Sequence, residues 1–409
     1  MNLVSANPSF RMADAVPDHV PVDRIFAYDI YAHDAPGGDF AATRFELREA
    51  GAPRVFWTPY NGGHWVATRA SEIDVVVNDA KLFGSNYVRV PKEEIADPPM
   101  LPLQADPPFQ MKYRNLLMGA LSPGNVKKLG EKARELTIDL IDGFIDDGEC
   151  DFVQQYARVM PIGIYMLIVD YPMEDRTMLI GVVEKVLRGK SPAERREGFE
   201  EARTYIRKQI ARREAQPGED LISHLVQAEK DGTITRKELE GMMLLLFTAG
   251  IDTVAAMLSG FARFLALNPD HRRQLIDDPA LIPNAVEELL RRFSIVYLTR
   301  VARMDIEMDG VTIKEGDMIV APTPLGNLDE DKAADPMTVD FHRKPSPNSS
   351  FGGQAHRCMG SMLARTEIRI FIEEWLRRIP NFDIKPGTQV VASADITSII
   401  PELRLVWNT

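Results

Sequence analysis

The chain has 409 residues, 45% of them hydrophobic and 26% charged, which is enough for one or more large cores and too balanced for a disordered chain. Asp and Glu number 60 against 48 Lys and Arg, and a net charge of −12 argues against general nucleic-acid binding, which needs a basic surface. Residues 1–20 carry neither a basic nor an apolar signal region, and no stretch reaches ~18 uninterrupted apolar residues. The two cysteines, Cys150 and Cys358, cannot build a disulfide framework and suit a reducing compartment. A cytoplasmic globular protein without a membrane span is expected. Length alone allows two or three domains, or one large core.

In chain order, residues 54–57 read as a strand and 64–68 as its hairpin partner. A helix is expected over 71–78 with Ser71 at its N-cap. Several prolines and little periodicity make 85–108 a long loop, and 125–230 is largely helical with charged faces that meet solvent. Thr235 and Glu238 fit a capping box opening a long helix that Asn268-Pro269 stops. Unbroken, it has about 32 residues and spans ~48 Å. Its middle, residues 242–247, is apolar on all sides and should cross the interior. A second helix covers 282–293, short antiparallel strands follow over 307–320, and a third strong helix runs over 359–378 up to Pro380. The expected class is mainly α with small β-sheets.

The most informative segment is Phe351-Gly352-Gly353-Gln354-Ala355-His356-Arg357-Cys358-Met359-Gly360. A glycine-containing loop runs into a helix, with the cysteine at the helix's N-terminal edge, where backbone N–H groups and the helix dipole favour a thiolate. Such a thiolate is a ligand for a soft metal centre or a nucleophile; the ordinary alternative is a small buried hydrophobe. Cys150, in the polar stretch 147–151, offers only that alternative.

The loop closely resembles the haem-thiolate loop of the cytochrome P-450 monooxygenases, through Phe351, Gly352, His356, Cys358 and Gly360. The family usually has Gly four residues before the cysteine, and here that residue is Gln354. Glu288-Leu289-Leu290-Arg291 matches the family's E-x-x-R helix motif, with Arg343 placed to be the later arginine of its ion-pair brace. Alone, Glu288 and Arg291 would be an ordinary one-turn pair worth a few tenths of a kcal/mol. Ala249-Gly250-Ile251-Asp252-Thr253 resembles the oxygen-binding groove, where small residues break the helix and an acid–alcohol pair follows. A Gly in an apolar helix costs ~1 kcal/mol against Ala, and an acid there is expensive unless paired or working.

The resemblance covers nearly the whole chain and is closest to the camphor hydroxylase branch. It implies the triangular, mostly helical, haem-thiolate P-450 fold as one domain over residues 1–409, with haem b as cofactor. Cys358 would be the axial iron ligand. Arg114, Arg300 and His356 align with propionate-binding groups, and Gly250, Phe351 and Gly352 with other haem-facing positions. Asp252 and Thr253 align with the proton-delivery pair. Arg188 aligns with a basic partner of that acid, and Ile180 stands where a second would be. Leu298 replaces an acid near a propionate, and Met111 replaces a neighbouring family arginine on the ferredoxin-docking surface.

Pro98, Leu103, Leu245, Thr248, Val296 and Ile396 fall at substrate-pocket positions, for each of which ordinary core packing is the plain alternative. Pro98 stands where the camphor enzyme holds its ketone with a tyrosine. The expectation is therefore a monomeric monooxygenase that hydroxylates a small apolar cyclic terpenoid or norisoprenoid, ionone-like rather than camphor. Dioxygen and electrons from a 2Fe-2S ferredoxin, fed by an NADH-dependent reductase, would be its co-substrates. No flavin or nucleotide-binding extension is evident in the chain. A peroxide-using haem-thiolate enzyme is the alternative, though it would dispense with Asp252-Thr253; a non-catalytic helical binding protein is a further one.

Overall fold

A computed structural model describes residues 12–31, 34–92, 97–189, 191–393 and 397–409. Its helices in chain order are α1 (Phe40–Glu49), α2 (Ala70–Asn78), α3 (Gln110–Met118), α4 (Pro123–Asp142), α5 (Val159–Val169), α6 (Arg176–Arg188) and α7 (Pro192–Ala215). They continue with α8 (Leu221–Lys230), α9 (Arg236–Ala249), α10 (Asp252–Leu267), α11 (Pro269–Asp277), α12 (Ile282–Arg292), α13 (Thr323–Asn327) and α14 (Ser361–Arg378). The expectation of a mainly helical protein with small sheets holds.

The chain forms two compact units, each assembled from separate segments: Met1–Ile95, Ser259–Cys358 and Ile384–Leu403 in the first, and Ala96–Leu258, Met359–Asp383 and Arg404–Thr409 in the second. The first unit holds a five-stranded sheet. The expected hairpin is its edge: Val55–Thr58 pairs antiparallel with His64–Ala67, Trp57 opposite Trp65. His64–Ala67 then runs parallel to Met318–Pro322, which pairs antiparallel with Tyr297–Ala302, placing Arg300 opposite Ile319. Trp65 and Phe56 are completely buried, so this sheet carries the unit's apolar core.

The start of α2 corrects one expectation. The N-cap is Arg69, not Ser71, and no side chain of the cap residue itself bonds the first turn. Asp329 does that work from far along the sequence, accepting from the Ala70 N–H at 2.8 Å and from Arg48 at 3.0 Å. A buried carboxylate charged by a guanidinium is a stronger acceptor than a serine hydroxyl.

In the second unit, α3 and α5–α8 pack around the apolar residues of α9. Met242, Met243, Leu244 and Phe247 are all fully buried there, as the all-round apolar pattern required. A second cluster is aromatic: Trp375 of α14 meets Phe152 edge-on at 5.0 Å between ring centres, and Phe144, Tyr156, Phe371 and Phe382 complete it. The capping box at the start of α9 is present, Thr235 accepting from Glu238 N–H and Glu238 from Thr235 N–H. Glu238 also accepts from Lys112 at 2.8 Å and Tyr113 at 2.5 Å, which ties α3 to this helix end. Burial works to raise the Glu238 carboxyl, yet these donors together hold it at about 2.

The long helix is not continuous. It stops at Ala249 and resumes at Asp252, with Gly250 and Ile251 in a turn between. The whole run Arg236–Leu267 is long and apolar enough to cross a membrane by length and composition, but 72% of its most apolar window is buried inside the protein. That is the signature of a core helix.

Candidate active site

The first unit carries the cysteine loop. Cys358 is exposed, whereas Phe351, Gly352, Gly353 and His356 are half-buried. The Cys358 N–H donates to the Phe351 carbonyl at 2.8 Å, closing the loop on itself and leaving the thiol at its surface. The helix that follows begins only at Ser361, with Gly360 as its N-cap, so Cys358 lies just ahead of the helix end rather than on it. Cys150 is the opposite case: buried, on a strand paired with Leu405, its thiol pushed far up by desolvation and flanking acids.

Two glycines are required by the geometry of the turn. Gly352 has φ +66°, and a Cβ on Gly353 would collide with the Asn78 side-chain oxygen at the end of α2. Gly353 is thus used for close approach, and Gln354 takes a left-handed conformation instead, with φ 38°. The loop keeps its turn at the cost of placing an exposed glutamine where glycine is easiest.

Beneath the loop, Glu288 and Arg291 form a doubly hydrogen-bonded pair, both contacts 2.8 Å, with side chains only 4% exposed. Arg343 reaches the same carboxylate at 3.1 Å, and the Asp340 N–H at 3.0 Å. Arg291 spends its remaining donors on the Pro336 carbonyl at 2.7 Å and the Thr338 carbonyl at 3.1 Å. A buried ion pair persists only when satisfied in this way. The sequence does not single out Asn327, which carries the brace to the loop. Its carbonyl oxygen faces Arg291, its side-chain amide donates to Ser350 at 2.8 Å, and its side-chain oxygen accepts from the Ser349 N–H at 2.8 Å. Ser349 and Ser350 immediately precede Phe351.

Arg300, on the strand Tyr297–Ala302, is 5% exposed and donates to the Thr299 carbonyl at 2.9 Å. Leu298 and Val296 are half-buried on the same stretch, Leu298 close to Gly352. Ile396 lies outside the described residues.

The second unit carries the helix break. Ala249 and Gly250 are exposed although Gly241–Leu245 earlier in α9 are buried, and Thr253 Oγ donates to the Ala249 carbonyl at 3.1 Å across the break. Asp252, 8% exposed, touches the Arg188 guanidinium. Both line a shallow recess with Ile180, Glu184 and Arg158. Ile180 leaves no second cation at its own position, but Arg158 brings one from another helix junction and pairs with Glu184 at 2.8 Å. Arg114 of α3 is half-buried beside Tyr113, and Met111 and Phe109 nearby are 50% and 75% exposed. Pro98 is buried, Leu103 half-buried, Leu245 8% exposed and Thr248 half-buried.

Comparison with known proteins agrees with this constellation. The cytochrome P450 family model matches residues 179–401. The chain is 32% identical over 402 residues to the probable cytochrome P450 127A1 of Sinorhizobium fredii (strain NBRC 101917 / NGR234), covering 96% of this chain and 97% of that one. It is 30% identical over 391 residues to the mycinamicin IV hydroxylase/epoxidase of Micromonospora griseorubida, covering 92% and 97%. The crystal structure of CYP101J2 superposes with a TM-score of 0.88 at 35% identity, over 97% of this chain and all of that one. The chain belongs to the cytochrome P450 family, with its fold, and is a monooxygenase that binds haem b.

The residues present fit that cofactor. An exposed thiol on a braced loop suits a soft iron ligand, and an apolar helix opens at two small residues, Ala249 and Gly250.

Proposed function

We propose that this P450 hydroxylates a C–H bond of a small apolar cyclic terpenoid or norisoprenoid, ionone-like rather than camphor. Dioxygen is the oxidant, and a 2Fe-2S ferredoxin with an NADH-dependent reductase supplies the electrons to a monomeric, single-domain, cytoplasmic enzyme. The observation that carries the haem-thiolate part is the exposed Cys358 thiol on a loop held by the Glu288–Arg291–Asn327 brace. Bound haem supplies the iron at which dioxygen is activated.

The chain's own residues do the rest. Cys358 gives the thiolate ligand, on a loop shaped by Phe351 and Gly352 and braced through Glu288, Arg291 and Arg343. Arg114, Arg300 and His356 hold the propionates by charge-assisted hydrogen bonds. Gly250 keeps the helix clear where dioxygen enters. Thr253 orders a water, and Asp252 hands on protons from the recess it shares with Arg188. Pro98, Leu103, Leu245 and Thr248 give the substrate mainly apolar surface. Pro98 supports the choice of substrate: with no hydroxyl there to orient camphor's ketone, a larger, less polar ring system can compete.

The test is spectroscopic. Reduced, carbon-monoxide-bound protein should show the red-shifted Soret band of a thiolate ligand, lost in Cys358→Ala and unchanged in Cys150→Ala. A normal thiolate band in Cys358→Ala would overturn the ligand assignment. In titrations of the ferric protein, ionone should give a larger spin-state shift than camphor at equal concentration; a full shift with camphor overturns the substrate reading.

A further inference from the structure

Gly241, Leu245 and Thr248 lie at i, i+4 and i+7 along α9, so they share one face. The large apolar cluster of the second unit takes Leu239, Met242, Met243, Leu244 and Phe247 from this helix, which leaves Leu245 and Thr248 turned to another side. The segment 97–104 covers that side. A Cβ on Gly241 would collide with the Pro99 carbonyl oxygen and sit 3.4 Å from Pro98 Cβ, so the loop backbone rests directly on the helix. Lys237 of α9 pairs with Asp97, which fixes the loop's first residue. Met100 and Gln104 close the turn from both ends, Gln104 N–H donating to the Met100 carbonyl at 2.9 Å and Met100 N–H to Gln104 Oε1 at 2.8 Å. Met100 is thereby held with its sulfur 3.9 Å from Thr248 Oγ.

Of Gly241, Leu245 and Thr248, only Thr248 carries a polar side chain, and a hydroxyl has a single proton to give. Its oxygen lies 3.0 Å from the Leu244 carbonyl and 3.1 Å from the Leu245 carbonyl, the back-bonded arrangement of a helical threonine. The proton therefore points into the helix backbone, and the alternative acceptor, the Met100 sulfur, is weak. What the hydroxyl presents away from the helix is lone-pair density.

We propose that Thr248 acts on the substrate as a hydrogen-bond acceptor, so that this pocket prefers a cyclic alcohol over the ketone of the same carbon skeleton. This rests on the reading that the Gly241–Leu245–Thr248 face lines the substrate pocket. An alcohol donates to Thr248 without disturbing it and buries its hydroxyl proton satisfied. A ketone has no proton to donate, so it either leaves its carbonyl unpaired or draws the Thr248 proton away from the helix carbonyls, exchanging one bond for another. Thr248 is thus a specificity-determining residue, and Met100, Gln104 and Gly241 are positioning residues for it.

The experiment is a set of spin-state titrations of the ferric holoprotein with matched ligands: borneol, camphor and bornane, and α-ionol with α-ionone. The wild type should bind each alcohol about tenfold more tightly than its ketone. Thr248→Val, which keeps the shape and removes the hydroxyl, should bring that ratio to within about twofold while bornane binds as before, and Thr248→Ser should retain the preference. A ketone bound as tightly as its alcohol in the wild type overturns the proposal, as does a ratio that survives Thr248→Val. Leu245→Phe separates the pocket assignment from the acceptor role. If it leaves bornane affinity unchanged, this face is not the pocket and both readings fall. If it blocks bornane while alcohol and ketone bind alike in the wild type, only the acceptor role of Thr248 fails.

Discussion

Arg188, the last residue of α6, closes its guanidinium on the carboxylate of Asp252, the first residue of α10. The contact sits at the point where the long helix resumes after its break, with the side chains 18% and 11% exposed. A carboxylate held at the wall of a solvent-facing recess by one cation can exchange protons with water on one side and serve Thr253 on the other. Asp252→Asn removes the exchangeable proton and should lower turnover by a factor of ~100 with ligand binding intact, the usual scale for losing a general acid. Arg188→Met should slow turnover less, because the acid remains and only its orientation is lost. Steady-state turnover alongside spin-state titration checks both, and wild-type turnover in Asp252→Asn rules the role out.

Thr253 bonds the Ala249 carbonyl rather than a distant group, so its hydroxyl stays beside the break. Thr253→Ala should preserve substrate binding and reduction while product formed per electron pair falls several-fold and hydrogen peroxide rises to match. Unchanged coupling would place the ordered water elsewhere.

The reach of the sequence is clearest where a feature is local. The capping box of Thr235 and Glu238 involves neighbours in the chain, and it stands where its residue pattern put it. Ser71 shows the opposite. It has the right chemistry for an N-cap, but Asp329 supplies a charged acceptor that no local pattern announces. Asn327 and Arg158 are illegible for the same reason, since an asparagine in a short helix and an arginine before an apolar one look ordinary until the fold brings Ser349 and Glu184 to them. Gln354 is visible as a departure, while its remedy, a left-handed glutamine with Gly353 reserved for Asn78, needs the backbone.

That left-handed glutamine makes a stability prediction. A side chain at φ 38° carries a steric cost of ~1 kcal/mol that glycine lacks. Gln354→Gly should recover most of it and raise the denaturant midpoint, whereas Gln354→Ala should not. Equal midpoints for the Gly and Ala variants would show that the turn is unstrained.

Asn327 predicts where the brace is weakest. It is 1% exposed, and its amide is bonded to Ser349 and Ser350. Asn327→Ala strands these buried partners and should cost ~2–3 kcal/mol, with haem released faster from the variant than from wild type. Equilibrium unfolding and the rate of haem transfer to an acceptor protein measure the two effects. Loss of stability without faster haem release would mean that Asn327 supports the unit but not the cysteine loop.

The last prediction concerns pH and Glu367, 3% exposed within α14, whose carboxyl burial pushes up from the ordinary 4.5 to about 8. Below pH ~4.5 the group is protonated in both the folded and the unfolded chain and favours neither. Between ~4.5 and ~8 the unfolded chain releases its proton while the folded chain keeps it, so the folded state binds more protons and stability falls as pH rises. Above ~8 both are ionised and the cost of the buried charge is fully present. Glu367→Gln cannot ionise, so it should escape this fall. Its stability relative to wild type should climb by a few kcal/mol between pH 5 and pH 8.5, since every tenfold weakening of the acid on folding corresponds to ~1.4 kcal/mol. Urea unfolding of both proteins at several pH values across that window gives the difference curve. A flat curve would show that Glu367 ionises in the folded protein as readily as in water.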